Sequence, residues 1–430
     1  MPRETISIEA AWNILFERHD IVNYIQEHGS FRITAAQINT VKEARLMARF
    51  DNSLSLPPIF RTNHLSILPV TRGEYLIGPY KTHQPIEYGD IEPQPVIIPN
   101  LETLDYTNLY SESSALLFAF NSGIIKDIMN SINNVNFTVN GRMGSGAFSF
   151  DIENITDATQ ISNITVQNSQ IEIDGGYESE DIFCIFEAKN IEVREMIIRQ
   201  LYYPYRLWKS KINKPVVPVF LVFSNDVFHA FVYRFNDDNN YNSIELVLHK
   251  SYTFENQPIL RSEVDIILNT INLRTEPTDA TFPQANSFER VVDLLSLLFE
   301  NDLTKDEVTS KYVFAERQTD YYITACVYLG LVKRTFDEDG DRKYQLTTDA
   351  YTIMRKNVRD KNLSLIKRVL EFPVFNVAYR RTLESGNIPT VLEIYTIMAT
   401  HGIHLADSTK ERRASTVYRW VYWILSQYDE

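Results

Sequence analysis

Midway along the chain, an apolar run ends in a carboxylate and a lysine. The run is Ile182-Phe183-Cys184-Ile185-Phe186, and Glu187-Ala188-Lys189 closes it. Just upstream, Ile171-Glu172-Ile173-Asp174 alternates apolar and acidic residues before Gly175-Gly176. Residues two apart on a strand share a face, so Glu187 and Lys189 point the same way. A strand that is apolar on both faces suits the centre of a sheet. With Asp174 at the end of the neighbouring strand of a hairpin, the three side chains converge. Two carboxylates are hard oxygen ligands for Mg²⁺, which keeps several waters and takes phosphate oxygens as further ligands. A metal held this way stabilises charge on a phosphate and lowers the pKa of bound water. A lysine beside it orients the attacking water and offsets phosphate charge. Such a set suits metal-assisted phosphodiester hydrolysis. The competing use of the same residues is a surface hairpin, with Asp174 in its turn and Glu187 and Lys189 as an ion pair. A second acid-x-Lys triplet, Asp341-Arg342-Lys343, lies in a polar turn with no apolar strand before it.

The elements that would position this set can be read from periodicity. Residues 135–187 alternate with period two, as in Phe137/Val139, Phe148/Phe150 and Ile171/Ile173, which predicts strands. A helix is expected from about 191 to 209, then strands at Val216–Phe223, Phe228–Phe235 and Ser243–His249. Strands, a helix and further strands make a mixed sheet with helices packed on it, an α/β fold. Upstream, residues 7–50 read as helices, with Gly29-Ser30 as a break, Thr34 as a cap and a helical run from Val41 to Phe50. Two short strands follow around Thr71-Arg72-Gly73-Glu74, giving the element order of a winged helix-turn-helix. The proline-rich stretch 81–100 reads as a linker, 104–130 as helical and 255–285 as a connection. Val291–Phe299, Tyr321–Leu329 and a wing Lys333–Gln345, turning at Asp339-Gly340, read as a second winged module. Leu363–Gln427 is a further helical stretch. The expected domains are 1–90 (winged-helix-like), 91–265 (catalytic core), 285–350 (winged-helix-like) and 356–430 (helical).

Asp174 followed by Glu187-Ala188-Lys189 at the end of a hydrophobic strand resembles the PD-(D/E)XK nuclease superfamily, over about residues 104–250. With helical modules on both sides, the chain looks like a type II restriction endonuclease. The resemblance implies a mixed-sheet nuclease core, Asp174 and Glu187 as Mg²⁺ ligands and Lys189 as the water-positioning base. It also implies a further acid from an upstream helix, for which Glu112 is the candidate. The substrate would be double-stranded DNA with a short specific site, cut to leave 5′-phosphate ends. A homodimer and a companion DNA methyltransferase are expected with it. Ile173 stands where the family often has proline. Some members carry Gln-x-x-x-Tyr after the site; here Tyr205 lies one step too far from Gln200, so that role is not carried over. The rival readings are a repair or mobile-element nuclease on the same core, and a non-enzymatic winged-helix regulator.

Three groups of basic residues are candidates for holding DNA. Arg142 lies in Asn140-Gly141-Arg142-Met143-Gly144-Ser145-Gly146, which reads as a loop between two strand-like runs, where glycines let backbone approach a phosphate and the arginine reaches a phosphate or a guanine edge. Lys42, Arg45 and Arg49 share one face if their segment is a helix. Lys410, Arg412, Arg413 and Arg419 follow a cap at Asp407-Ser408-Thr409, with Val417, Trp420, Val421 and Ile424 as the apolar side. Each group also reads as an ordinary solvated face. His229, inside an apolar run, reads as core, as do Tyr202, Tyr203 and Tyr205.

The net charge of −14 runs against nucleic-acid binding by the molecule as a whole. Local clusters decide binding, however, and segment 190–214 sets six cations against two acids. With only two cysteines, Cys184 and Cys326, and no zinc spacing, a reducing cytoplasm is expected. No secretion signal or membrane-length apolar run is visible.

Overall fold

The computed structural model describes every residue except 1–5, 255–257, 279, 313–315, 338–339, 404–406 and 430. The chain forms two compact units. One holds residues 1–96, 115–223 and 227–253; the other holds 97–114, 224–226 and 254–430.

The first unit opens with α1 (Ile8–His19), α2 (Ile21–His28), β1 (Phe31–Thr34), α3 (Ala35–Asn39), α4 (Ala44–Met47), α5 (Pro58–Thr62), β2 (Ser66–Pro69) and β3 (Glu74–Gly78). The strands form a small sheet in the order β1-β3-β2. Ser7 caps α1 by accepting from the Ala10 amide, and Thr34 and Gln37 form a capping box at α3. The core here is aromatic: the Trp12 and Phe16 rings meet Phe60 edge-on at 4.8 and 4.9 Å. The helix expected from Val41 to Phe50 is reduced to the four residues of α4. The Asn39 side chain takes the Ala44 amide at 2.8 Å, which starts a new turn rather than continuing the old one.

The prolines of 81–100 do not exclude strand. β4 (His83–Pro85) pairs with β11 (Glu195–Ile197), and β5 (Gln94–Val96) lies at one edge of the main sheet. Edges are where a residue without an N–H is tolerated. Next come α6 (Glu112–Asn121), α7 (Ile124–Ile128), β6 (Asn136–Gly144), β7 (Ala147–Glu153), β8 (Ile161–Gln167), β9 (Gln170–Glu178) and β10 (Phe183–Lys189). After β11 follow α8 (Arg199–Lys209), β12 (Val216–Ser224), β13 (Val227–Phe235) and β14 (Ile244–Phe254). The main sheet is mixed, with seven strands in the order β5-β14-β13-β12-β10-β9-β6. β6, β9 and β10 run antiparallel in turn, whereas β10 and β12 are parallel, as a crossover through α8 allows. The hairpin β7–β8 is a separate two-stranded sheet inserted between β6 and β9.

Helix α8 begins at Arg199, not near 191, because 195–197 are taken up as strand β11. It buries Tyr202, Tyr203, Tyr205 and Leu207 in a core with Phe150, Ile152 and Tyr241. Its interior Pro204 cannot donate to the Gln200 carbonyl one turn earlier. Much of the positive charge of 190–214 is spent internally. Arg206 donates to the Asp238 carbonyl at 2.6 Å, and Lys214 reaches Glu178 at 2.6 Å.

The second unit contains β15 (Ile259–Leu260), α9 (Arg261–Thr270), α10 (Phe288–Glu300), β16 (Leu303–Thr304), α11 (Lys305–Tyr312), α12 (Glu316–Tyr328), β17 (Val332–Phe336) and β18 (Arg342–Leu346). It ends with α13 (Thr348–Met354), α14 (Val358–Leu370), α15 (Pro373–Ser385), α16 (Val391–Thr400), α17 (Asp407–Leu425) and β19 (Tyr428–Asp429). Helix α9 occupies part of what reads as a connection in the sequence. The order β16-β18-β17 repeats the arrangement of the N-terminal sheet, with helices between the first and second strand in each case. Trp420 anchors α17: its indole N–H donates to the Ala285 carbonyl at 2.7 Å, and its ring stacks on Phe375. Among the described residues, no helix is long and apolar enough to cross a membrane.

Candidate active site

Strand β10 is buried from Phe183 to Ala188, with β9 on one side and β12 on the other. The β9–β10 register runs from Phe183↔Glu178 to Phe186↔Gly175, so the next positions on the two strands are Glu187 and Asp174. Asp174 therefore lies in the middle of the nine-residue β9, not at the end of a strand as the sequence suggests. Gly175 and Gly176 explain how β9 passes so tightly. A Cβ on Gly176 would stand 2.8 Å from Val139 and 3.0 Å from Phe183, and one on Gly175 would strike the Tyr177 ring.

Four side chains meet at the end of β10, beside the middle of β9. Glu187 is only 6 % exposed, and its Oε1 accepts from both the Lys189 ammonium and the Gln200 amide, the latter at 2.5 Å. Lys189 also donates to the Ala188 carbonyl at 3.1 Å. Asp174 accepts the Ala188 amide on Oδ2 at 2.8 Å, which fixes its carboxylate beside the Glu187–Lys189 segment. Gln200 comes from the first turn of α8, so the crossover helix delivers it to the strand end. Its orientation is set by Glu187, since turning the amide over would bring oxygen against carboxylate. Oε1 of Gln200 is buried and has no hydrogen-bond partner. A buried acid and its lysine are costly to take out of water, and their mutual attraction returns only part of that cost.

The donor set suits a hard cation. It offers two carboxylates and, beside them, an amide oxygen that lacks a partner, all oxygen as Mg²⁺ requires. Among the described residues no group of three or more His, Cys, Asp or Glu side chains has metal-holding geometry, so waters and substrate would complete the coordination of any ion held by Asp174 and Glu187. Cys184, on the same strand, is buried, and burial pushes its thiol up to about 12, which works against thiolate chemistry.

The other sequence candidates fall elsewhere. Glu112 opens α6, in the stretch 97–114 that belongs to the second unit, whereas Asp174, Glu187, Lys189 and Gln200 all belong to the first. Arg142 is not in a loop. It sits within β6, which runs through two irregularities as far as Gly144, and its guanidinium pairs with Glu172 across the ladder at 3.2 Å. Lys42, Arg45 and Arg49 do not share a helix: only Arg45 lies in α4, Lys42 donates to the Ile6 carbonyl at 2.7 Å, and Arg49 lies 3.6 Å from Asp51. Lys410, Arg412, Arg413 and Arg419 do ride on α17, whose Val417, Trp420, Val421 and Ile424 are buried. Arg412 and Arg419 are exposed, Lys410 lies over the Tyr395 ring, and Arg413 is half-buried, its basicity lowered by desolvation. The side chains of Asp407 and Ser408, expected as the cap of that helix, lie outside the described residues, as do His404 and Asp339.

Gln200 is not legible as a site residue in the sequence, because its spacing to Tyr205 departs from the Gln-x-x-x-Tyr pattern. What places Gln200 is its position at the start of the crossover helix.

Three stretches of the chain match families, each described as a domain of unknown function: residues 9–77 (DUF6996), 78–253 (DUF6997) and 290–429 (DUF7226). No curated protein and no solved structure matches the chain. Asp174, Glu187, Lys189 and Gln200 all lie within the match over 78–253.

Proposed function

We propose that this chain is a Mg²⁺-dependent endonuclease that cuts double-stranded DNA at specific sites, in the manner of a type II restriction enzyme. One observation carries the reading: Lys189 and Gln200 converge on the buried Glu187, while a backbone amide holds Asp174 next to it. Asp174 and Glu187 would hold the ion, which when bound withdraws charge from the scissile phosphate and acidifies a water. Lys189 holds a positive charge at Glu187 Oε1. From there it orients the attacking water and offsets charge on the phosphate as the 3′ oxygen leaves. Gln200 keeps the Glu187 carboxylate in one rotamer and offers its own oxygen toward a water. Burial of Phe186 and Ala188 beside these groups lowers the local dielectric, which strengthens each electrostatic contact.

Sequence recognition would fall to the flanking parts. The three-stranded sheets β1-β3-β2 and β16-β18-β17, each with its preceding helices, fit the winged-helix reading of both ends. The exposed Arg412 and Arg419 of α17 are suited to phosphate contact. Cutting both strands of a symmetric site calls for a homodimer, and a companion methyltransferase would protect the host's own sites. Glu112 stands as the further acid only by family resemblance.

The decisive experiment incubates the purified chain with unmethylated phage DNA, with and without Mg²⁺, beside Asp174→Asn and Lys189→Met. Discrete fragments that need Mg²⁺ and are lost in both variants support the proposal. Cleavage by either variant at the parent's rate removes it, and a smear would argue for a nuclease without site specificity.

A further inference from the structure

We propose that His229 and His249 form a second cation site, for a borderline-soft divalent ion such as Zn²⁺, apart from the Asp174–Glu187 cluster. The two residues lie on neighbouring strands, β13 and β14, at diagonal positions, since His229 is opposite Ser251 and Phe231 opposite His249. Their ring nitrogens, Nδ1 of His229 and Nε2 of His249, are 3.3 Å apart. Two imidazole nitrogens bound to a tetrahedral zinc at roughly 2.0–2.1 Å stand about 3.3–3.4 Å apart, so the two rings already stand at the spacing a chelate needs. The hydroxyl of Ser251, a residue only 1 % exposed, sits 2.8 Å from the same His229 nitrogen, as a polar neighbour for an ion or its water.

The surroundings hold the rings in place. Tyr88 sets its ring edge-on against both His229 and Phe231, and Phe231 stacks on His249 at 4.2 Å. The Tyr88 hydroxyl in turn donates to the Val193 carbonyl at 2.8 Å, in the segment that leaves β10 after Lys189. Pre-set rings lose little freedom on binding. Burial pushes His229 down to about 4, with His249 adding to the effect, and burial also lowers His249. Both rings are therefore neutral at pH 7, and a neutral imidazole is the form that binds metal. Imidazole selects zinc, nickel or copper over magnesium, so the two sites differ in ligand chemistry as well as in position. With two protein ligands the remaining positions fall to water, and the site is weaker than a four-ligand structural zinc.

Calorimetric titration of Zn²⁺ into the full chain in buffer with excess Mg²⁺, which occupies the carboxylate cluster, tests this. One equivalent is expected, weakened at least ten-fold by His249→Gln and left unchanged by Asp174→Asn. His249→Gln keeps a polar side chain on a half-buried strand. Unchanged circular dichroism and thermal midpoint would show that a loss of binding is not a loss of fold, and His229→Asn repeats the test from the other ring. Zinc bound equally well by His249→Gln, or not at all by the parent, overturns the proposal. Loss of zinc in Asp174→Asn places the ion in the acidic cluster and overturns it too, while leaving the hydrolytic reading intact. Conversely, an inactive protein that still binds zinc in a His249-dependent way refutes only the nuclease assignment.

Discussion

Replacing Lys189 by Met tests whether the cluster is assembled as described, without reference to any activity. The change removes the ammonium from Oε1 of Glu187, a carboxylate that is 6 % exposed and also accepts from the Gln200 amide. Breaking a buried ion pair from one side costs about 3–5 kcal/mol, because the remaining charge stays uncompensated. Here the lysine side chain is 14 % exposed, so water reaches the rim and about 2–3 kcal/mol is the better expectation. Glu187→Gln removes the charge and leaves an amide that can still meet Gln200. The double variant Lys189→Met/Glu187→Gln therefore recovers most of the loss. The cycle should give a coupling of about 1–3 kcal/mol, the range found for residues in one network. Urea unfolding, followed by fluorescence and analysed at the transition of the first unit, measures it. If Lys189→Met unfolds at the parent's midpoint, or if the two changes simply add, the pair is solvated and the site has been misread.

Three further outcomes follow from the geometry. Gln200→Ala should slow single-turnover DNA cleavage about 10- to 100-fold and raise the Mg²⁺ concentration needed, since residues that orient a metal ligand have effects of that size; equal rates would remove Gln200 from the site. Asp127 is held below the ordinary carboxylate range: burial would raise it, but hydrogen bonds from Lys250 and Tyr252 outweigh that. Its contribution to stability is thus present above the unfolded-state value of 3.8 and fades as the pH falls through the lower folded value, so Asp127→Asn should destabilise at pH 7 by an amount that shrinks as the pH is lowered through the acid range. A deficit that does not shrink as the pH falls would show that the loss is not electrostatic. Arg412→Ala should weaken DNA binding on all sequences alike and reduce the slope of log affinity against log salt by about 1, as for a lost phosphate contact; an unchanged slope would place α17 away from the backbone.

What the sequence made legible depended on range. The strand pattern around Phe183–Phe186 was readable because burial on both faces leaves a continuous apolar run, and the Glu187–Lys189 relation needs only the period of a strand. The course of β9 past Asp174 was not readable. An acid followed by two glycines looks like a turn, and only the packing of Val139 and Phe183 against Gly176 shows the strand continuing. The same holds for Arg142, whose glycine-rich neighbourhood is a strand with irregularities because β9 is there to pair with it. Local competition misled the reading at Lys42–Arg49, where the Asn39 side chain takes an amide that periodicity assigns to a helix. Gln200 and the His229–His249 pair depend on contacts between elements far apart or on neighbouring strands, and no spacing rule along one element exposes them. The basic segment 190–214 misleads in another way: its charges are read as available, yet Arg206 and Lys214 are tied to groups of the same unit.

The bond from the Ala188 amide to Asp174 gives that carboxylate a second occupation. The ladder between β9 and β10 stops at Phe186↔Gly175, and beyond it the acid's own oxygen replaces the carbonyl a neighbouring strand would have supplied. Asp174 thus acts as a splice that keeps two diverging strands from fraying. Cutting it back to alanine would strand an amide and loosen the fork as well as remove a ligand, so silence from that variant would be ambiguous. Asparagine keeps an oxygen for the amide while giving up the charge, and it is the substitution that separates the joint from the chemistry.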